Sequence, residues 1–198
     1  MRIDATRLRR LRVLVHGLAV LPLLWLPWGF AAGHFSADPV PELLHYLGIW
    51  ALRLLLLTLC ISPLAKRFRL GPLVRLRRAV GLWCFTYASL HLVAWVLLDL
   101  QLAWGLIGEE IVERGFITLG MASWAVLLLL AITSTQGWQR RLGRRWQTLH
   151  NWIYPTVLVV CVHFWWSVKS GWIEPLIYLL VGLSLLSLRR DRLTRLFR

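Results

Sequence analysis

The sequence predicts an all-α integral membrane protein, a six-transmembrane-helix bundle with both termini cytoplasmic, and three observations lead there. Of its 198 residues 58% are hydrophobic and mean hydropathy is +0.63, more apolar surface than a soluble domain of this length can hide. The apolar residues gather in runs of about 18 or more, each long enough to cross roughly 30 Å of hydrocarbon as a helix. Basic and acidic connections alternate between those runs.

Taken in order, the spans fall near residues 11–30, 43–63, 79–99, 116–134, 148–168 and 173–188, a single transmembrane domain over 1–198. The first reads as a retained span, because its apolar run is long and no small-residue cleavage site follows it. All but Arg53, Arg114 and Lys169 of the 23 Lys and Arg residues lie in MRIDATRLRRLR, AKRFRLGPLVRLRR, QRRLGRRW and RRDRLTRLFR. The alternate connections hold Asp38, Glu42, Asp99, Glu109, Glu110, Glu113 and Glu174. In short loops the Lys/Arg bias sets orientation, so the basic connections are expected on the cytoplasmic side and the acidic ones outside. The net charge of +14 is therefore a topology signal, suited to anionic lipid rather than to nucleic acid. Cys60, Cys84 and Cys161 stand singly inside spans with no CxxC pair, as small core residues do. Tryptophans near the outer span ends (Trp25, Trp28, Trp104, Trp165, Trp166, Trp172) and the inner ones (Trp83, Trp138, Trp146) form the usual aromatic belts.

The histidines carry the functional signal. Spans three and five run in the same direction, and at about 1.5 Å per residue His91 lies roughly 18 Å and His163 roughly 22 Å from the inner boundary. Two imidazoles at matched depth on parallel helices suit the axial ligation of a haem clamped between helices. The alternative, a polar residue hydrogen-bonded between helices, is common in membrane bundles. His150 lies about 20 Å closer to the cytoplasm and, on an ideal helix, about 140° from the face of His163; Pro155 between them is a site for a kink. A second, inner haem on His150 would need a partner near 77 or 78, where the chain has Arg77 and Arg78. His16, His150, Arg77 and Arg78 share the inner level, where cations beside Trp83, Trp146 and Trp152 suit a flavin phosphate or a quinone head group; anchoring of helix ends at head groups is the simpler alternative. Arg53, mid-span, costs about 2.5–3.5 kcal/mol on insertion scales, and a haem propionate is a fitting bidentate partner. His45, two turns earlier, is placed to assist.

Together RLRRAVGLWCFTYASLHL (75–92) and AITSTQGWQRRLGRRWQTLHNWIYPTVLVVCVHFWWSVK (131–169) resemble the MsrQ (YedZ) family, and LPLLWLPW and RRDRLTRLFR extend the likeness over nearly the whole chain. A wider resemblance is to ferric-reductase-like transmembrane domains. The family resemblance implies a bacterial inner-membrane, multi-pass subunit with haem b, reported to hold FMN as well. It implies electrons taken from the quinone pool and passed to a periplasmic molybdopterin reductase, MsrP, that repairs oxidised methionine in periplasmic proteins. Haem-binding positions carried over from the family fall on His91, His150 and His163. Two-haem oxidase relatives have a histidine where Arg77 and Arg78 stand here, so the resemblance implies one haem rather than two, with His150 as the candidate metal ligand for a second. There is no GxGxxG dinucleotide fingerprint, so electrons are expected from a quinol or another protein. Catalytic sulfoxide reduction is expected on the partner, for which the acidic GEEIVER connection is a candidate dock. Two rivals remain: an autonomous ferric reductase, and a proton or ion transporter, against which the lack of an evident internal repeat weighs.

Overall fold

The computed structural model describes residues 4–169 and 171–189. Met1–Ile3 of the first basic cluster and the RRDRLTRLFR tail from Arg190 onward lie outside the described residues. Among the described residues there are helices and turns and no strand, and the chain divides into two compact units, Met1–Leu102 and Ala103–Arg198.

The first unit is built on three long helices. Helix α1 (Ala5–Ala31) starts at Asp4, whose carboxylate accepts from the Ala5 N–H at 2.6 Å, satisfying one of the helix's orphan donors. Helix α2 (Pro39–Arg67) opens on a proline, where a missing N–H costs nothing, and closes on Lys66 and Arg67, which complement the helix dipole. A 3₁₀ turn (Gly71–Leu76) leads into α3 (Arg77–Ala94), and a π-helical turn (Trp95–Asp99) follows. The core lies between α2 and α3, where Leu52, Leu55, Leu59, Val80, Cys84 and Tyr87 are buried. Two tyrosine hydroxyls tie α1 to that pair: Tyr46 donates to the Pro22 carbonyl at 2.9 Å and Tyr87 to that of Ala19 at 2.7 Å. Trp25, Tyr46, Trp50, Tyr87 and Trp83 continue the tie as an unbroken series of ring contacts.

In the second unit α4 (Trp104–Glu113) precedes α5 (Gly115–Ile132); α6 (Gln136–Leu142), α7 (Arg144–Asn151), α8 (Ile153–Ser167) and α9 (Ile173–Ser187) follow. Leu127, Leu130, Val157, Cys161 and Phe164 are buried where α5 meets α8 and α8 meets α9. The Cys161 thiol points at the Tyr178 carbonyl, 3.7 Å away, across the latter pair. No disulfide joins the three cysteines; Cys84 and Cys161 lie in the core and Cys60 is half-buried.

Among the described residues four helical stretches, α1, α2, Gly71–Asp99 and α5, are long and apolar enough to cross a membrane, so this is a membrane protein. Helices α8 and α9, at 15 residues each, are shorter than the roughly 20 residues of a full crossing. The stretch expected as one span over 148–168 is the end of α7 and the whole of α8, parted at Trp152 (φ −60°, ψ −15°). Pro155 thus sits in the first turn of α8, where it breaks no hydrogen bond, and the 140° phase computed for one ideal helix does not apply. The connection between the third and fourth spans also differs from a plain loop. It folds as α4, with Arg114 paired to Glu110 at 2.8 Å and Trp104 and Val112 largely exposed.

Candidate functional site

Each unit holds one imidazole in the same kind of cradle. On α3 the His91 Nδ1 lies 2.8 Å from the Leu44 carbonyl of α2; on α8 the His163 Nδ1 lies 2.6 Å from the Phe116 carbonyl of α5. The same 47 residues separate histidine and carbonyl in both. One turn beyond each carbonyl stands a glycine. A Cβ built on Gly48 would lie 3.3 Å from His91 Nδ1, and one on Gly120 would lie 2.9 Å from His163 Cε1.

The chemistry of the cradle follows from the carbonyl, which can only accept. Nδ1 must therefore carry the proton, and in the neutral ring Nε2 carries the lone pair. That is the tautomer a metal requires, and an acceptor on the opposite nitrogen raises the ligand's basicity and holds the ring's orientation. His91 and His163 are both half-buried, at helix positions that pack against a neighbouring helix.

His150 is held differently. Its Nδ1 lies 3.2 Å from the Trp146 carbonyl of its own helix, and its ring stacks on that tryptophan with centroids 4.0 Å apart. Trp146 in turn donates its indole N–H to the Thr133 carbonyl at 2.8 Å, at the end of α5. Gly143 makes this approach of α7 feasible: its φ of 53° with ψ of −123° is backbone that only glycine adopts readily.

The remaining sequence candidates are spread through the first unit. His16 is exposed and takes the Trp83 indole N–H on Nδ1 at 2.9 Å, the reverse of the arrangement at His91, so its neutral form carries the proton on Nε2. Arg77 and Arg78 are the first two residues of α3, the former half-buried and the latter exposed. Arg53 is exposed on α2 with its guanidinium 5.1 Å from the centre of the Trp50 ring, a cation–π contact. His45 is exposed on the same helix. Thus the structure sets His16 on Trp83, Arg53 on Trp50 and His150 on Trp146.

Sequence reasoning passed over Gly48, Gly120 and the two carbonyls. The signal available was the shared 47-residue spacing, invisible without knowing which carbonyls the rings reach. Among the described residues no three His, Cys, Asp or Glu side chains gather as a metal site.

Residues 47–161 match the family model described as ferric reductase like transmembrane component, a stretch that contains Gly48, His91, Gly120 and His150. The chain is 45% identical over its whole length to a Klebsiella pneumoniae protein named protein-methionine-sulfoxide reductase heme-binding subunit MsrQ, covering 98% of that protein. A Salmonella enteritidis protein of the same name is 46% identical, with both chains covered in full. One from Salmonella paratyphi B is 47% identical over 96% of each chain.

Proposed function

The chain belongs to the MsrQ family, within the ferric-reductase-like transmembrane proteins, and from that premise we propose that it is a b-type cytochrome subunit that relays electrons outward across the bacterial inner membrane. The observation that carries this reading is the pair of like cradles. Two neutral imidazoles, each with Nδ1–H given to a helix carbonyl, leave Nε2 lone pairs that could bind a haem iron. His91 and His163 would hold a haem through these two nitrogens. The haem they would hold would supply reversible one-electron chemistry.

The chain's own residues do the holding and tuning. The Leu44 and Phe116 carbonyls keep each ring in one tautomer and orientation. Arg53, a fixed cation with a planar fork, pairs with a propionate, and His45 assists at the outer side. His150, stacked on Trp146, serves the inner end, where with His16, Arg77 and Arg78 it receives electrons from a quinol or through FMN. With Arg77 and Arg78 where a second ligand to an inner haem would have to stand, one haem is favoured over two. Both units act as one six-span domain with cytoplasmic termini, and the acidic α4 presents Glu109 and Glu113 toward a periplasmic MsrP.

A reduced-minus-oxidised visible spectrum of the purified protein, with haem and flavin quantified per chain, tests this reading. A b-type spectrum at about one haem per chain, lost in His91→Ala and in His163→Ala, is expected. Full haem in both variants would overturn the ligand assignment. A colourless, folded, cofactor-supplied protein would sink the cytochrome reading and favour transport. Reduction of chelated iron in cells lacking MsrP, at the rate seen with it, would favour a self-sufficient ferric reductase.

A further inference from the structure

In an α-helix the carbonyl of residue i lies beneath residue i+4, and the Cβ of that residue tilts back over the turn that contains it. A side chain at i+4 therefore roofs the carbonyl and keeps a neighbouring helix's side chain from reaching it. At Leu44–Gly48 and at Phe116–Gly120 the residue in the roofing position is glycine. Both carbonyls are reached by an imidazole, and in both the atoms nearest the missing Cβ are Nδ1 and Cε1 of that ring. The coincidence of carbonyl, glycine and 47-residue spacing in both units is an internal repeat in geometry where none is evident in sequence.

We propose that Gly48 and Gly120 are positioning residues for the two axial imidazoles: by leaving the carbonyl unroofed they let Nδ1–H donate to it, and so set each ring's rotation and donor strength. The proposal rests on the haem reading above. Any side chain at either position crowds the ring and covers its acceptor at once. Losing the Nδ1–H···O=C bond makes the imidazole a weaker donor, which stabilises oxidised iron less, so the midpoint potential moves upward. The effect is graded. At Gly120 a Cβ would come to 2.9 Å from Cε1 and 3.2 Å from Nδ1, which forces movement; at Gly48 its closest approaches are 3.3 and 3.4 Å, which demand a few tenths of an ångström.

The test compares Gly120→Ala and Gly48→Ala in the full-length, haem-loaded protein with Gly81→Ala, a helical glycine of α3 whose Cβ would meet nothing within 4 Å. Haem per chain, midpoint potential and the low-spin electron paramagnetic resonance g values of the oxidised protein are measured. The expected result is a positive potential shift and altered g values in both cradle variants, larger for Gly120→Ala, with Gly81→Ala like the parent. A general packing defect would lower thermal stability without moving potential or g values. If Gly120→Ala fails to assemble, Gly48→Ala decides. Parental potential, g values and haem content in the assembled cradle variants would overturn the proposal while leaving the cytochrome reading intact. A haem-free parent would instead sink that reading.

Discussion

His91 and His163 differ from His16 in which nitrogen holds the proton, and that difference makes the histidines separable by experiment. At His91 and His163 a carbonyl takes the Nδ1 proton, whereas at His16 an indole N–H donates to Nδ1. His16→Ala should leave haem content unchanged, and the visible spectrum checks it. His150→Ala should likewise keep the haem but slow its reduction by added quinol, because the ring, stacked on Trp146, is assigned to the inner electron-entry site. Loss of the spectrum in that variant would make His150 a ligand. The fully buried Tyr87 hydroxyl bonds the Ala19 carbonyl, and interhelical hydrogen bonds in membranes average about 0.6 kcal/mol, with a maximum near 1.7. Tyr87→Phe should therefore lower stability within that range, measured by denaturant titration in detergent, with haem ligation intact.

At the scale of elements, the segment from α6 to α8 concentrates the constraints. Thr135 caps α6 by accepting from the Trp138 N–H, Gly143 at positive φ parts α6 from α7, and Trp152 parts α7 from α8. Gly143→Ala places a Cβ on strained backbone and should cost on the order of 1–3 kcal/mol, loosening the His150–Trp146 station. Pro155→Ala should change stability by less than about 0.5 kcal/mol, since the first turn of α8 makes no use of the missing N–H. A gain of several kcal/mol there would mean that α7 and α8 act as one helix, in whose interior the proline had cost a hydrogen bond. In this segment the sequence was legible as apolar and histidine-bearing, yet the break was not. Apolar periodicity carries across a single turn residue such as Trp152 without a change in composition.

At the scale of the whole molecule, charge placement makes a prediction that needs no side-chain detail. Single cysteines in the cysteine-free protein should label with an impermeant thiol reagent from outside at residues 35, 108 and 171, and only after lysis at residues 70 and 143. Labelling of 143 from outside would reverse the fifth span and refute six crossings. Among the described residues four of the six proposed crossings have helices of sufficient length, whereas α8 and α9 are short enough that, if they cross, local bilayer thinning or flanking residues would have to complete them.

What the sequence by itself determined is what composition and order encode. Its apolar runs dictate helices in a membrane, the alternation of Lys/Arg with acids predicts a topology that labelling must test, and the TSTQ-to-HFWW stretch carries the family. It also singled out His91 and His163 by depth, because helical rise is constant. What only the tertiary structure decided is which partner each polar group meets. The carbonyls of Leu44 and Phe116 belong to every residue's backbone, and a glycine among leucines looks like any other small residue, so neither leaves a mark in a single sequence. Their role exists only once two helices pack closely enough for an imidazole to lie over a missing side chain.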